Sequence, residues 1–452
     1  MSQRPLGSPI SRRALLGTAA AGTVTAGMAV PNVAQAQISG DPDVVVIGAG
    51  SAGIATARTL MAQGKSVVVL EARDRIGGRA WTESDTFGVP FDHGCSWIQS
   101  AKQDFLKDTA EDLGFDVQQH DDAGETVFVG DREARTSELE QYWDAYATVE
   151  RALSDAGREG LDIAASKVMP NIPFSATSQS WMVMDMSVDF DEMSTADWWS
   201  GAETYPNYLV EQGLGTVIAH LGADIPVVLS SPVSQIAWGG DGVTVTTRAG
   251  TIKARACVVT VSTGVLNAGS ITFDPPLPAA KQQAISDLPM GLLAKIALQF
   301  DDTRFKFRPN EWLTYQVPEE LPAPTCYFLT WPFNQNLMIG FIGGDFAWEM
   351  SDAGTDAAVD FALGEVEAMV GSRARETFVK GSLTQWAHDP LTLGAYAALR
   401  PGALGAREEL ASPLDERLFF AGEAAAGAHY ATCGGAWLSG ERAAGEVMAA
   451  LG

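Results

Sequence analysis

Residues 290–300, MGLLAKIALQF, place one cation, Lys295, inside an otherwise apolar run. In a β-strand, Lys295 would share a face with Leu293 and Ala297. If that face is exposed to solvent, the lysine needs no catalytic role. If that face is instead buried, desolvation lowers the pKa of the ammonium, as is common at functional sites. By itself the run favours the solvated interpretation, because most lysines in strands are simply solvated.

A second stretch that could do chemistry is GAGSAG at residues 48–53. Gly48 permits a tight turn, Gly50 lets the backbone approach a pyrophosphate, and Gly53 lets helix and strand pack closely. Such a loop is a phosphate-binding element only when a strand precedes it and a helix follows it.

The elements around this loop have the required order. A β-branched run at residues 43–47 precedes it, a helical pattern follows, and a second apolar strand at residues 66–70 ends at Glu71. A carboxylate at this distance can accept hydrogen bonds from an adenosine ribose. We therefore predict a βαβ unit that binds a dinucleotide with its phosphates at the helix N-terminus.

Composition bounds the possible functions. The chain has 452 residues, 46% of them hydrophobic, which predicts two or more domains with substantial cores. Its formal net charge of −26 disfavours nucleic acids and anionic membrane surfaces as partners, and weakly favours a small cationic substrate. Cys95, Cys257, Cys326 and Cys433 form no CxxC pattern, so no metal site is expected.

The first 36 residues have the pattern of an export signal. Arg12 and Arg13 precede an apolar run of small residues, and Ala34 and Ala36 flank a small-x-small cleavage site. The paired arginines predict export of the folded protein by the twin-arginine route, to the periplasm or the medium. No later segment has about eighteen unbroken apolar residues, so no membrane span is expected in the mature protein.

Further along the chain, two kinds of segment alternate. Residues 233–247 predict a β-hairpin with a turn at 239–242, and residues 258–261 predict a buried strand. Residues 101–210 are helical and acidic in pattern, and residues 290–390 are rich in Trp, Phe and Pro. This alternation predicts a nucleotide-binding unit interleaved with a substrate-binding unit.

With EARDRIGGR at residues 71–79 the sequence resembles the flavin amine oxidases, a family that includes monoamine oxidases, polyamine oxidases and lysine-specific histone demethylases. The resemblance continues through DHGCSW at 92–97, TQWAHDPLTLGAY at 384–396, LFFAGE at 418–423 and ATCGGA at 431–436. It therefore extends over essentially the whole mature chain.

The fold class implied by this resemblance is α/β, with a Rossmann-like FAD-binding domain of the two-dinucleotide-binding type interleaved with an α+β substrate-binding domain. The implied FAD-binding parts are 41–100, 213–290 and 395–452, and the substrate-binding parts are 101–212 and 291–394, after a signal peptide at 1–36.

The resemblance also implies the cofactor and its ligands. FAD should be bound without a covalent link, because Ala395 stands where covalently flavinylated members carry a cysteine. The residues expected to contact FAD are Gly48, Gly50, Ser51, Gly53, Glu71, Ala72, Arg73, Gly78, Arg79, Gly94, Ser96, Trp97, Val233, Trp386, Gly422, Glu423, Thr432, Cys433 and Ala436.

The implied catalytic residues are Lys295, Trp386, Tyr396 and Thr432. Lys295 matches the family lysine that holds a water beside the flavin, and should assist reaction with dioxygen or imine hydrolysis. The substrate pocket is expected to be lined by Trp97, Gln99, Tyr396, His429 and Thr432. Thr432 replaces one tyrosine of the monoamine oxidase aromatic cage. Gln99 stands where some polyamine oxidases carry an acid or a histidine.

The implied reaction oxidises an amine to an imine, which is hydrolysed to an aldehyde, while dioxygen is reduced to hydrogen peroxide. The net negative charge of the chain, and Thr432 in place of a second cage tyrosine, favour a polyamine or another extended cationic amine as substrate. One alternative is an L-amino-acid oxidase, which needs a buried arginine for the substrate carboxylate and has Arg304, Arg308 and Arg400 as candidates. The other alternative is a non-catalytic flavoprotein.

Overall fold

A computed structural model describes residues 40–452 except 101, 103, 104, 122, 203, 303 and 320. The predicted export signal lies outside the described residues. Within the described residues, no helix combines the length and the apolar character that crossing a bilayer requires.

The strands of the described chain, in chain order, are β1 Val44–Ile47, β2 Val67–Leu70, β3 Thr82–Glu83, β4 Phe91–Asp92, β5 Trp97–Ile98, β6 Val117–Gln119, β7 Glu125–Val129, β8 Arg132–Glu133, β9 Tyr208–Val210, β10 Val227–Val228, β11 Val233–Ala237, β12 Val243–Thr247, β13 Gly250–Ala254, β14 Ala256–Val259, β15 Thr272–Asp274, β16 Met290–Gly291, β17 Leu293–Phe300, β18 Glu311–Tyr315, β19 Tyr327–Thr330, β20 Leu337–Gly343, β21 Phe378–Leu383, β22 Tyr396–Ala397 and β23 Leu418–Phe420.

The α-helices of the same residues are α1 Ser51–Ala62, α2 Leu106–Asp112, α3 Thr136–Arg158, α4 Ser175–Met186, α5 Thr195–Ser200, α6 Leu214–Leu221, α7 Thr263–Asn267, α8 Ala279–Ser286, α9 Gly344–Ala353, α10 Thr355–Val370, α11 Arg373–Thr377, α12 Ala406–Ala411 and α13 Cys433–Leu451.

A parallel sheet in the order β10-β2-β1-β14-β23 is the centre of the first domain. Its strands come from three separated stretches of the chain, and the β-branched residues of β1 are fully buried, as a covered parallel sheet requires. Helices α1 and α13 cover one face, where the Thr56 hydroxyl donates to the Gly440 carbonyl. The predicted hairpin forms as β11 paired with β12, and its apolar side packs on the other face.

The second domain is built on a sheet in the order β21-β17-β20-β19-β18-β7-β8. Because β7 and β8 precede the other strands by more than 150 residues, two distant stretches of chain complete one sheet. Strand β17 lies inside it, antiparallel to both β20 and β21.

The alternation expected for β17 is present, but neither of its faces is wet. Leu292, Ala294, Ile296 and Leu298 pack with α10 in one core, whereas Ala297 packs in a second core on the other side. Lys295 is only 4% exposed, so the solvated-strand interpretation of this lysine is wrong.

Candidate active site

Lys295 extends from β17 to the loop at residues 92–96. Its Nζ donates to the carbonyl oxygens of Asp92 at 2.8 Å and Gly94 at 2.5 Å, and to Ser96 Oγ at 2.6 Å. Burial lowers the pKa of the ammonium to about 8, although the charges of Asp92 and Cys95 act in the opposite direction. The structure thus joins the predicted catalytic lysine to the loop that contains Gly94 and Ser96, two of the residues predicted to contact FAD.

Trp386 is held beside the same loop. Its indole Nε1 donates to the carbonyl of His93 at 2.7 Å, and the side chain is 5% exposed. Two residues earlier in the chain, Thr384 Oγ1 accepts from the Lys295 backbone N–H at 2.9 Å. Lys295 and Trp386, 91 positions apart in the sequence, therefore approach one short segment, the first from β17 and the second from the residues that follow the neighbouring strand β21.

Glu71 organises the predicted phosphate-binding turn. One carboxylate oxygen accepts from the Ala49 N–H at 2.7 Å and the other accepts from the Arg73 N–H at 2.8 Å. The loop that follows β10 also contacts Glu71, since the Ser231 N–H donates to the Glu71 carbonyl at 2.8 Å. This contact carries Val233, which follows Ser231 by two residues, towards Glu71, where the adenine end of a dinucleotide is expected.

Arg79 and Glu423 form the second polar centre. Arg79 Nη1 donates to Glu423 Oε1 at 2.9 Å and to the Ala395 carbonyl at 2.7 Å. The Ala397 N–H donates to the same Glu423 oxygen at 3.1 Å. The GGR motif and the C-terminal acid, separated by 344 residues, thus form an ion pair next to Tyr396.

The proposed pocket residues fall on different elements. Tyr396, on β22, is half-buried, and its hydroxyl donates to the Met184 carbonyl of α4 at 2.7 Å. The Thr432 hydroxyl caps α13, accepting from the Gly435 N–H and donating to the His429 carbonyl, each at 2.8 Å. Thr432 therefore stabilises the N-terminus of α13, a role that the sequence did not indicate. That Thr432 and Gln99 contact the substrate stays a prediction.

The sequence profile of a family described as flavin-containing amine oxidoreductase matches residues 51–175 and 178–448. The chain belongs to the flavin-containing amine oxidoreductases. Polyamine oxidase 4 of Oryza sativa subsp. japonica is 31% identical over 93% of this chain and 91% of its own length. Polyamine oxidase 2 of Arabidopsis thaliana is 30% identical over 89% of this chain and 87% of its own length. The solved structure of cyclohexylamine oxidase from Brevibacterium oxydans has a TM-score of 0.73 at 22% identity, and covers 91% of this chain and 99% of its own.

The expected fold class and FAD-dependent amine oxidation are thereby confirmed, and the chain is an enzyme. A small-molecule amine and dioxygen are the reactants that family membership implies. The domain boundaries and the roles of individual site residues stay predictions.

Features of this amine oxidoreductase fit FAD. The first residues of α1, Ser51 to Gly53, are buried and no side chain caps the helix, so backbone N–H groups are available to a pyrophosphate. An added Cβ at Gly50 would meet nothing closer than 3.9 Å, which leaves space for the phosphates. Glu423 Oε2 is buried without a partner among the described atoms and could accept from a hydroxyl of the cofactor.

Two further hydrogen bonds involve residues predicted to contact FAD. The Ser51 hydroxyl donates to the Cys433 carbonyl at 2.9 Å, which joins the N-termini of α1 and α13. The Gly422 N–H donates to Ser439 Oγ of α13 at 2.9 Å. Bound there, FAD would accept a hydride equivalent from the carbon beside the amine nitrogen and transfer electrons to dioxygen.

Sequence reasoning missed an aromatic cluster in this amine oxidoreductase. Trp97 stacks on Trp312 with ring centroids 5.7 Å apart, and Trp181 meets Trp312 edge-on at 4.9 Å. All three side chains are partly exposed rather than fully buried. No motif marks Trp181 or Trp312, and only their aromatic type could have singled them out.

His120 positions Trp97 in this cluster. Trp97 Nε1 donates to His120 Nδ1 at 3.1 Å, and His120 Nε2 lies 3.0 Å from the Asn310 carbonyl. This pattern requires a neutral imidazole with its proton on Nε2. Burial lowers the pKa of His120, which favours that neutral form.

The arginines considered for an amino-acid substrate do not meet the requirement of burial. Arg308 is 70% exposed at its side chain and pairs with Glu311. Arg304 is exposed and its Nη1 donates a hydrogen bond to Asn334 Oδ1, and Arg400 is also exposed. The L-amino-acid oxidase alternative is therefore not favoured, and family membership disfavours the non-catalytic flavoprotein. In the described residues, no group of His, Cys, Asp and Glu is arranged to hold a metal ion.

Proposed function

We propose that this enzyme oxidises an extended, multiply charged amine of the polyamine class. The observation that carries the proposal is a cavity of about 140 Å³ beside α4 that is lined by the acids Asp189 and Asp191. Met184 lines the same cavity, and its carbonyl accepts the hydroxyl of Tyr396. An acidic cavity and a predicted wall of the substrate pocket therefore meet at one turn of α4.

Electrostatics supports a cationic occupant. Burial raises the pKa of Asp189, and the nearby charges of Asp345, Asp191 and Glu349 raise it further. Burial likewise raises the pKa of Glu192, with Asp345 and Asp189 contributing. An ammonium bound among these acids would offset their repulsion and favour their ionised forms.

The non-reacting part of the cavity suits an aliphatic spacer. Its other lining residues include Phe346 and Pro322, together with the buried hydroxyls of Ser180 and Thr325. Methylene groups can pack on the apolar side chains while a distal ammonium reaches Asp189. The rice and Arabidopsis relatives, which are polyamine oxidases, support the same class of substrate.

The chain's own residues have distinct proposed duties. Tyr396 and Trp386 would flank the reacting amine, whose unprotonated form an apolar pocket favours. Lys295 would supply positive charge near the flavin ring from its place against residues 92–96. The acids beside α4 would bind the end of the substrate that does not react.

The direct test is hydrogen peroxide release by the FAD-loaded protein on spermidine, spermine, putrescine, tyramine and a set of L-amino acids. We expect the highest kcat/KM with a di- or polyamine. Turnover of tyramine alone would contradict the proposed substrate class. Absence of turnover on every amine would contradict amine oxidation itself.

Asp189→Asn combined with Asp191→Asn is expected to raise KM for spermidine by roughly 10-fold or more, since a charge-assisted hydrogen bond contributes about 1.5–3 kcal/mol. The kcat for spermidine and both constants for tyramine should change little, because neither variant side chain contacts the reacting carbon. Steady-state peroxide assays give these constants.

The control removes the same charge elsewhere. Asp224→Asn combined with Asp241→Asn changes two exposed acids away from the cavity. If this control raises KM for spermidine as much as the cavity variant does, general charge attraction explains the effect and the cavity does not.

A further inference from the structure

A buried ion pair joins α5 to α12. Arg407 Nε and Nη2 donate to the two carboxylate oxygens of Asp197 at 2.8 and 2.7 Å, and the two side chains are 5% and 1% exposed. Both groups are far removed from water, so the forked geometry satisfies charges that would otherwise be costly to bury.

The same guanidinium holds backbone from two segments of the candidate active site. Arg407 Nη2 donates to the Ala397 carbonyl at 3.0 Å, and Nη1 donates to the Ala424 carbonyl at 3.3 Å. Ala397 directly follows Tyr396, and Ala424 directly follows Glu423. One side chain therefore ties the strand of the predicted substrate wall to the segment of the predicted FAD acid.

Asp197 and Tyr430 extend this contact set. Asp197 Oδ2 also accepts from the Leu399 N–H at 3.2 Å, and the Asp197 carbonyl accepts from the Tyr430 hydroxyl at 2.9 Å. The Arg407 guanidinium lies 4.0 Å from the centre of the Tyr430 ring. Tyr430 precedes the Thr432 cap of α13 by two residues, so a third segment of the site is attached.

We propose that Asp197 and Arg407 are positioning residues of the amine oxidation site, which set the placement of Tyr396 relative to Glu423 and the cofactor. The inference rests on the proposed function of the site around Tyr396. Neither side chain needs to touch substrate, because each acts through the backbone of the segments it holds. A misplacement of about 1 Å in such a site can slow the reaction by roughly 100-fold.

The test uses Arg407→Lys and Asp197→Asn in the FAD-loaded protein. Lysine keeps the charge but has no fork to reach Asp197, Ala397 and Ala424 together. Asparagine keeps the shape of the carboxylate and removes its charge. The measurements are the FAD-to-protein ratio, the visible circular dichroism of the bound flavin, and the rates of flavin reduction by spermidine and of reoxidation by dioxygen.

Arg442→Lys is the matched control. Arg442 also pairs with a carboxylate, Glu446, and donates to two backbone carbonyls, those of Ala411 and Phe420, and these hydrogen bonds hold neither the Tyr396 strand nor the Ala424 carbonyl. It should lower the thermal midpoint without changing flavin reduction.

We expect both test variants to retain FAD, to alter the visible circular dichroism of the flavin, and to reduce flavin at least 10-fold more slowly than the control, with reoxidation within a few-fold of wild type. Wild-type reduction rates in FAD-loaded variants would overturn the proposal. Loss of FAD or of the fold in both variants would also overturn it, because the pair would then support the fold rather than position the site. If wild-type protein reduces its flavin with another amine but not with spermidine, the proposed substrate fails, and the comparison of variants is made with that amine.

Discussion

Lys295→Met is expected to slow the dioxygen-dependent half-reaction by roughly 100-fold, the effect typical of removing one preorganised electrostatic group from an active site. Reduction of the flavin by amine should change by only a few-fold. The reason is that Lys295 is a buried cation held against residues 92–96, where positive charge can stabilise the negative charge that dioxygen gains on reduction. Stopped-flow recovery of the oxidised flavin absorbance measures this rate.

Lys281→Met is the matched control for this substitution. Lys281 is fully buried, burial lowers its pKa to about 8, and its Nζ donates to the carbonyls of Glu409, Leu410 and Ser412. Either substitution leaves acceptors without a donor and should cost about 1–3 kcal/mol of stability per orphaned acceptor. Only Lys295→Met should alter the dioxygen half-reaction. Equal oxygen kinetics in both variants and wild type would give Lys295 a purely structural role.

The pH dependence gives a second check on Lys295. Because its pKa is about 8, the ammonium is charged below that pH and neutral above it. The wild-type dioxygen half-reaction should therefore slow as pH rises through about 8, and Lys295→Met should not show this decrease in rate.

The effect of Lys295 on stability changes with pH in the opposite direction. Between pH 8 and the ordinary lysine pKa of 10.5 the unfolded chain binds a proton that the folded chain does not, so the Lys295 contribution to the free energy of unfolding rises with pH.

Gly50→Ala is expected to weaken FAD binding by on the order of 100-fold, about 2.7 kcal/mol, while the protein still folds. Gly50 has φ −79° and ψ −175°, which any residue adopts, and the nearest atoms to an added Cβ are 3.9 Å away. The methyl group would occupy the space that a pyrophosphate needs at the N-terminus of α1. Titration of apoprotein with FAD, followed by flavin fluorescence, measures the loss of affinity.

Gly53→Ala separates the two roles of glycine in this loop. An added Cβ at Gly53 would lie 1.9 Å from the Gly48 carbonyl oxygen, so the fold itself must shift. We expect this variant to lower the thermal midpoint of the apoprotein, at a cost of about 1–3 kcal/mol for overpacking. Wild-type FAD affinity in Gly50→Ala would show that the phosphates do not approach this turn.

Local patterns were sufficient for much of the fold. The β-branched run before GAGSAG, the helix after it and the acid at Glu71 specify the βαβ unit, because each depends on residues close in sequence. The hairpin at 233–247 formed as its turn residues predicted. Agreement of several motifs in order was enough to indicate the family and FAD.

Other features depended on contacts between distant residues. The alternation of side chains in β17 was compatible with either a solvent-exposed or a buried Lys295. Its burial results from packing against Phe341 of β20 and the loop at residues 92–96. The Asp197–Arg407 pair spans 210 positions and carries no motif, since either residue is ordinary on a surface helix. The cavity beside α4 is likewise lined by segments that are far apart in the sequence and meet only in the folded chain.

The sequence by itself determined the dinucleotide-binding unit, the family and the reaction class, because a phosphate-binding turn and its flanking strands are local structures with characteristic residues. Only the tertiary structure decided which side chains are buried, which charges are paired, and that the residue accepting the Tyr396 hydroxyl, Met184, also lines an acidic cavity. The physical reason is that burial and electrostatic environment are set by neighbours far apart in the chain, and these neighbours are brought together only when the interleaved segments complete their two sheets.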